Sequence, residues 1–182
     1  MIECELKIPV DGLKEIRHRL VGVKAEQLNP SEHEINILFD TASGRLAASG
    51  QVLRVRRTGC RNILTFKGPA TYDGAVKKRR EIEIEISSSE RISEFLHALG
   101  YAPWIRYEKQ RESWRFGETR VDLDHTPMGD FVELEGPTDS LEATAHRLDL
   151  DPERAVAQSY IGLWRDFRRQ HPELGRDMVF DP

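Results

Sequence analysis

Ile2-Glu3-Cys4-Glu5-Leu6-Lys7-Ile8 alternates between apolar and charged side chains. On a β-strand, residues two apart share a face. The stretch therefore reads as a strand with Cys4, Leu6 and Ile8 on one face and Glu3, Glu5 and Lys7 on the other. A solvated strand standing alone could look like this. The same alternation returns in Leu53-Arg54-Val55-Arg56, in Arg79 through Ile86, and in Val121-Asp122-Leu123-Asp124. Repetition turns a charged strand face into a charged interior.

Working outward from residues 2–9, strand patterns follow near 34–40, 51–58, 61–68, 78–87, 104–115, 118–125 and 130–136. Thr58-Gly59-Cys60 and Phe116-Gly117-Glu118 read as short hairpin turns. Pro69, Asp73 and Gly74 mark residues 69–77 as a longer, mobile loop. Helical spacing appears over 11–23 (Leu13, Ile16, Leu20), with Asp11 as N-cap, and over 88–100 (Ile92, Phe95, Leu96, Leu99). Ser87 and Glu90 have capping-box spacing before the latter. Residues 139–149 form a third helix, and Asp151-Pro152 predicts the opening of a fourth, running to about 171.

Eight strands with short connections, and helices that each need an apolar partner, predict an α+β fold. Its centre is an eight-stranded antiparallel β-barrel, a tunnel with helices packed outside. Ile82, Ile84 and Ile86, like Leu6 and Val55, are expected beneath those helices. Residues 1–171 read as one domain and 172–182 as a weakly ordered C-terminal tail.

The 182 residues are 32% charged and 38% hydrophobic, within globular range and enough for a substantial core. A net charge of −4 argues against a nucleic-acid partner. Apolar runs are too short to span a bilayer and no N-terminal signal pattern is visible, so the expectation is a cytoplasmic protein without a membrane partner. Cys4 and Cys60 lack metal-ligand spacing and read as reduced thiols.

The alternates left for the lumen are acids Glu3, Glu5, Glu81, Glu83, Glu85, Asp122, Asp124, Glu133 and Glu135, and bases Lys7, Arg54, Arg56, Lys67, Arg79, Lys109 and Arg111. A dry core could not hold them, because each unpaired buried charge costs several kcal/mol or more. Carboxylates on neighbouring strands, such as Glu3/Glu5 and Glu133/Glu135, suit hard cations such as Mg²⁺ or Mn²⁺. Arginine and lysine suit phosphate oxygens. A ligand that needs both is a polyanion chelated to a divalent metal, and a triphosphate is the natural example.

Glu3-Cys-Glu5-Leu-Lys7 resembles the E-x-E-x-K signature of the CYTH superfamily, the triphosphate tunnel metalloenzymes. Leu53 to Arg56, Leu64 to Pro69, Arg80 to Glu85, Glu108 to Arg111, Val121 to Asp124 and Gly129 to Glu135 resemble its later strands, in order. Ser159-Tyr160-Ile161-Gly162-Leu163 is similar to the S-Y-x-x-L segment of the bacterial class IV adenylyl cyclase branch. The resemblance implies Mg²⁺ or Mn²⁺ bound through Glu3, Glu5, Glu133 and Glu135, with Asp124 and Glu83 contributing. It implies a triphosphate held by Lys7, Arg54, Arg56, Lys67, Lys109 and Arg111. Glu3, Glu5 and Lys7 would carry the catalysis, Lys7 acting on the nucleophile only if neighbouring bases lower its pKa.

The implied substrates are inorganic triphosphate, ATP or thiamine triphosphate, and the implied reaction is hydrolysis or ATP cyclisation to cAMP and pyrophosphate. No lysine follows Lys109, which tilts away from the animal thiamine-triphosphatase type. Homodimerisation is an expectation of the resemblance alone. The alternative from another class is a catalytically silent polyphosphate-binding or nucleotide-binding module using the same lumen.

Overall fold

The alternating stretch does form a strand, β1 (Ile2–Val10), in the computed structural model, which describes residues 2–181. Helix α1 (Lys14–Gly22) leads to β2 (Glu26–Thr41) and a single helical turn, α2 (Arg45–Ala48). Three antiparallel strands follow: β3 (Val52–Thr58), β4 (Arg61–Asp73) and β5 (Val76–Ile86). Helix α3 (Ser89–Ala98) connects to β6 (Tyr101–Phe116), β7 (Thr119–Thr126) and β8 (Gly129–Glu135), then α4 (Thr138–Arg147) and α5 (Tyr160–Gln170). The strands close a barrel in the order β1-β5-β4-β3-β2-β6-β7-β8, and every neighbouring pair is antiparallel. This is the eight-stranded tunnel with helices outside that the alternation predicts. No helix among the described residues is long and apolar enough to cross a membrane.

Outward residues of β1, β7 and β8 pack under α1 and α4. Leu6, Ile8, Leu20, Val121, Leu123, Val132, Leu134 and Leu141 form one cluster, all essentially inaccessible to solvent. Fully burying such side chains stabilises by about 1.5–3 kcal/mol each, so this cluster anchors the strands that carry Glu5, Lys7, Asp124 and Glu133. A second outer cluster places Leu96 of α3 against Phe39 and Val55.

Several expectations need correction. Residues 69–77 are not a loop: β4 and β5 run on until Asp73 pairs with Val76, with Gly74 left-handed in the turn (φ +57°). Strand β2 begins eight residues before the predicted start, its polar first half and Pro30 accommodated by two register shifts against β6. Ile82 and Ile84 point outward but are 44% and 52% exposed, since alternation specifies a face and not what covers it. Ser88, rather than Ser87, caps α3 by accepting from Arg91 N at 3.2 Å. Leu13, not Asp11, stands at the N-cap of α1, with no side-chain cap.

The fourth predicted helix is divided. Asp151-Pro152 opens only a 3-10 turn at Pro152–Arg154, and Ser159 caps α5 separately. The chain beyond α5 is also more ordered than expected. Strand β6 extends past the end of β7, and the tail pairs with the edge so left free: Glu108 N donates to Met178 O at 2.7 Å and Met178 N to Arg106 O at 3.0 Å. Met178 is fully buried there. Covering an exposed strand edge is a general need of β proteins.

Candidate functional site

Strand register brings opposite charges face to face across the lumen wall. Lys7 lies opposite Glu133 and Glu5 opposite Glu135 between β1 and β8. On the other side of β1, Glu3 lies opposite Arg79 and Glu5 opposite Lys77. Directly opposed side chains on one face stand about 4.5–5.5 Å apart at Cβ. The enclosed cavity has a volume of about 580 Å³ and is lined by these residues with Arg54, Arg56, Lys67, Glu81, Glu83, Lys109 and Arg111. That is a ligand-sized space.

One half of the lumen is a closed charge network centred on Asp124, which is completely buried. Its carboxylate accepts from Arg111 Nε at 2.6 Å and Nη2 at 2.5 Å, from Lys109 Nζ at 3.0 Å, and from the Tyr160 hydroxyl at 2.6 Å. Burial and the Asp124 charge push the Tyr160 phenol well up, so it keeps its proton and donates. Arg111 also bridges Glu133 and reaches Asp122 at 2.7 Å. Lys7 Nζ sits between Glu5 at 2.7 Å and Glu133 at 2.8 Å, with the Tyr160 ring 4.4 Å away. Glu34 lies 3.7 Å from Arg56 and 3.8 Å from Lys109 at the edge of the set, and its buried Oε2 makes no hydrogen bond.

These contacts reverse the condition placed on Lys7. Burial opposes its charge, but Glu133 and Glu5 more than compensate and hold its pKa above the ordinary lysine value. Lys7 is a fixed cation here, and a role as a proton acceptor does not fit. The same cations, against the effect of burial, hold Glu133 well below the usual carboxylate range.

The other half, on β5 and β4, is open. Lys67 Nζ lies 2.9 Å from Glu3 and 2.8 Å from Glu81. Burial and a hydrogen bond shared with Glu3 push Glu81 up to about 8, so Glu81 holds the proton between them. Glu3 stays low despite its burial, because Glu81 and Lys67 both donate to it. Burial, with the charge of Glu3, pushes Glu135 up as well. Arg54 donates to the Tyr107 hydroxyl, Thr65 and Glu83, each at 3.2 Å, yet its Nε has no partner. Arg79 is the extreme case: it is buried, and both Nε and Nη2 lack any hydrogen-bond acceptor. An unmade hydrogen bond on a buried charged group is expensive, so these groups are arranged for something that arrives.

All six residues assigned to triphosphate (Lys7, Arg54, Arg56, Lys67, Lys109, Arg111) line the cavity. The six assigned to metal divide. Glu3, Glu5 and Glu135 share one wall, with Glu3 beside Lys67 and Glu5 between Lys7 and Lys77, whereas Glu133 and Asp124 are held by Lys7, Lys109 and Arg111, and Glu83 sits 3.2 Å from Arg54. Among the described residues no three carboxylate, imidazole or thiol groups converge into a ready ligand set. The donor chemistry at Glu3, Glu5 and Glu135 nevertheless fits a hard divalent cation: all are oxygen donors, and Glu135 is raised by burial and by its negative neighbour, a penalty that a cation relieves.

Two kinds of residue lie outside those assigned sets. Arg79, in the alternation but given no role, and Lys77, hidden in the supposed loop, both line the cavity. Their signal was the parity of β5. Tyr107 shares the parity of Lys109 and Arg111, and Tyr160 stands in the S-Y-x-x-L segment, but a tyrosine in either place reads as packing.

The cavity reaches solvent at Trp104 and Tyr72, 40% and 56% exposed, with Ile161 and Arg165 of α5 also in its lining. There Leu38, Val52, Trp104 and Ile161 replace charge with apolar surface.

A family description, the CYTH domain, matches residues 1–150. A Methanocaldococcus jannaschii protein provisionally named an adenylate cyclase is 26% identical over 136 residues, covering 74% of this chain and 77% of that protein. A Vibrio parahaemolyticus structure, also provisionally named an adenylate cyclase, has a TM-score of 0.81 at 21% identity, covering 91% of this chain and 98% of its own. A Hippeastrum adenylyl cyclase of provisional name, described as having a dominant triphosphatase activity, has a TM-score of 0.66 at 18% identity, with 91% and 95% covered. At these identities the two structures speak to the fold alone.

Proposed function

Because the chain belongs to the CYTH domain family, we propose that it is a divalent-metal-dependent enzyme that breaks a P–O bond of a triphosphate held in the lumen. The reaction is either hydrolysis or adenylyl cyclase-like cyclisation of ATP. Residues 1–171 carry the lumen as a single domain. The observation behind this reading is the buried Arg79, with two N–H groups unmet beside Arg54, which has one. Such donors call for a polyanion, and the raised carboxylates Glu81 and Glu135 call for a cation alongside it. A metal-chelated triphosphate answers both.

The chain's own residues then act as follows. Arg54, Arg56, Lys67 and Arg79 orient the phosphates and stabilise charge on the oxygens as the bond breaks, where fixed donors in a water-poor site act most strongly. Arg111, Lys109 and Lys7, already committed to carboxylates, hold the wall in place. Glu3, Glu5 and Glu135 would hold a Mg²⁺ or Mn²⁺ ion, which supplies Lewis-acid neutralisation of phosphate oxygens. A positioned water gives hydrolysis, and the ribose 3′-hydroxyl gives cyclisation.

The test is product identification. The protein is incubated with ATP, inorganic triphosphate and thiamine triphosphate, each with Mg²⁺ or Mn²⁺, and followed by phosphorus NMR. Turnover of at least one supports the reading. Binding without any product would instead support the silent binding module.

A further inference from the structure

The apolar mouth carries an inference about which triphosphate is bound, and it rests on the proposed triphosphate reading. Near the start of β6 the register against β2 slips: Leu38 pairs with Ile105, but Phe39 pairs with Pro103. Trp104 is the extra residue. A bulge at a barrel rim re-aims one side chain out of the ladder, and here the chain spends it on an indole left 40% exposed. Trp104 lines the cavity mouth on one side and, on the other, a cleft against the C-terminal tail. Arg176 of that tail lies over the ring at 5.7 Å from its centre, on the cleft side. The tail is itself fixed to β6 through Met178. The indole is thus braced from behind, with the mouth in front of it.

The surroundings define what the ring would meet. Val52 and Ile161 give the mouth apolar walls, and Gln51 adds a carboxamide whose N–H groups are donors. Three residues along β6, Tyr107 accepts from Arg54, so the mouth leads directly to the phosphate-binding bases. Arg165 at the mouth and Arg176 behind the indole disfavour a cationic ring such as thiazolium. We infer that Trp104 and the mouth beside it form a subsite for the base of a nucleoside triphosphate, whose phosphates extend inward to Arg54 and Arg79. Stacking on an aromatic face suits any flat base, and the Gln51 donors suit a ring nitrogen or carbonyl.

The experiment is calorimetric titration of two ligands, with Mg²⁺, into the full chain and into Trp104→Ala and Trp104→Phe. The ligands are inorganic triphosphate and an ATP analogue whose bridging oxygens are methylene groups. The expected result is a roughly 5- to 100-fold loss of analogue affinity in Trp104→Ala, the range for a lost base stack. Inorganic triphosphate should stay within about twofold in both variants, which also reports that they are folded, and Trp104→Phe should retain most of the analogue affinity. Equal losses for both ligands, or no loss for the analogue, overturn the inference and leave the triphosphate reading standing. If the unmodified chain binds neither ligand, both fall.

Discussion

On the β6–β7 side of the lumen, Asp124 receives four hydrogen bonds from three residues. Facing it on β5, Arg79 has two N–H groups without an acceptor, and burial beside Glu3 pushes Glu81 above the ordinary carboxylate range. Both walls are built from the same residue types at the same two-residue period. What differs is completion. Around Asp124 the wall is satisfied by its own side chains and so acts as scaffold, whereas under the proposed function the β5 wall takes a ligand that brings both negative oxygen and positive metal. Buried charge is costly when unpaired, so the imbalance on β5 locates function more sharply than a count of charges.

The difference can be broken from either side. Removing Asp124 should cost most, because Asp124→Ala leaves Arg111 and Lys109 buried without their shared partner. A loss of about 3–5 kcal/mol is expected, measured by urea denaturation, and a loss under about 1 kcal/mol would mean the network is not the scaffold. On the open wall the pattern should invert. Arg79→Met should weaken inorganic triphosphate binding about 10- to 100-fold, in line with the loss of charge-assisted hydrogen bonds, while the melting temperature stays level or rises. A melting temperature that falls as far as in Asp124→Ala would show Arg79 to be structural.

Acid sharpens the same contrast. Glu34 and Glu133 are buried, yet Lys109 and Arg56, and Lys7 and Arg111, hold them below their ordinary pKa. A carboxylate depressed in the folded state adds stability that is present above its unfolded value, about 4.3, and is lost as pH falls through the folded value. Melting temperature should therefore decline progressively below about pH 4.3, and Glu34→Gln should flatten that decline. A profile unchanged by Glu34→Gln would contradict the assignment. The smallest effect belongs to Tyr160→Phe, which removes one hydroxyl from Asp124 and keeps the ring beside Lys7. About 0.5–1.5 kcal/mol should be lost, and the test is whether that loss disappears in an Asp124→Ala background.

The barrel was legible because its strands carry charge at every second position, a period that no helix produces. Lys7, Arg54, Arg56, Lys67, Lys109 and Arg111 could be placed in the lumen from parity alone. What parity does not contain is register across strands. Nothing in Asp124 or Glu133 tells that their oxygens are already taken by Lys109, Arg111 and Lys7, so metal and scaffold carboxylates look alike in sequence. Loop-like composition misled in a similar way: Pro69 and Gly74 sit in and between strands that the barrel extends, which hid Lys77. The bulge at Trp104 depends on how β6 pairs with β2, and the edge pairing of Met178 on how far β6 outruns β7, each a property of two strands at once. Ile82 and Ile84 were placed on the correct face, but exposure is decided by where helices lie.

The central claim is that the open wall on β5 is completed by a triphosphate and a divalent cation together. Titration calorimetry of inorganic triphosphate into the full chain, with Mg²⁺ and with the metal chelated away, tests this most directly. The account predicts one triphosphate per chain with Mg²⁺ and affinity at least tenfold weaker without it, both reduced further in Arg79→Met. Binding that ignores Mg²⁺ and Arg79, or no binding at all, would contradict it.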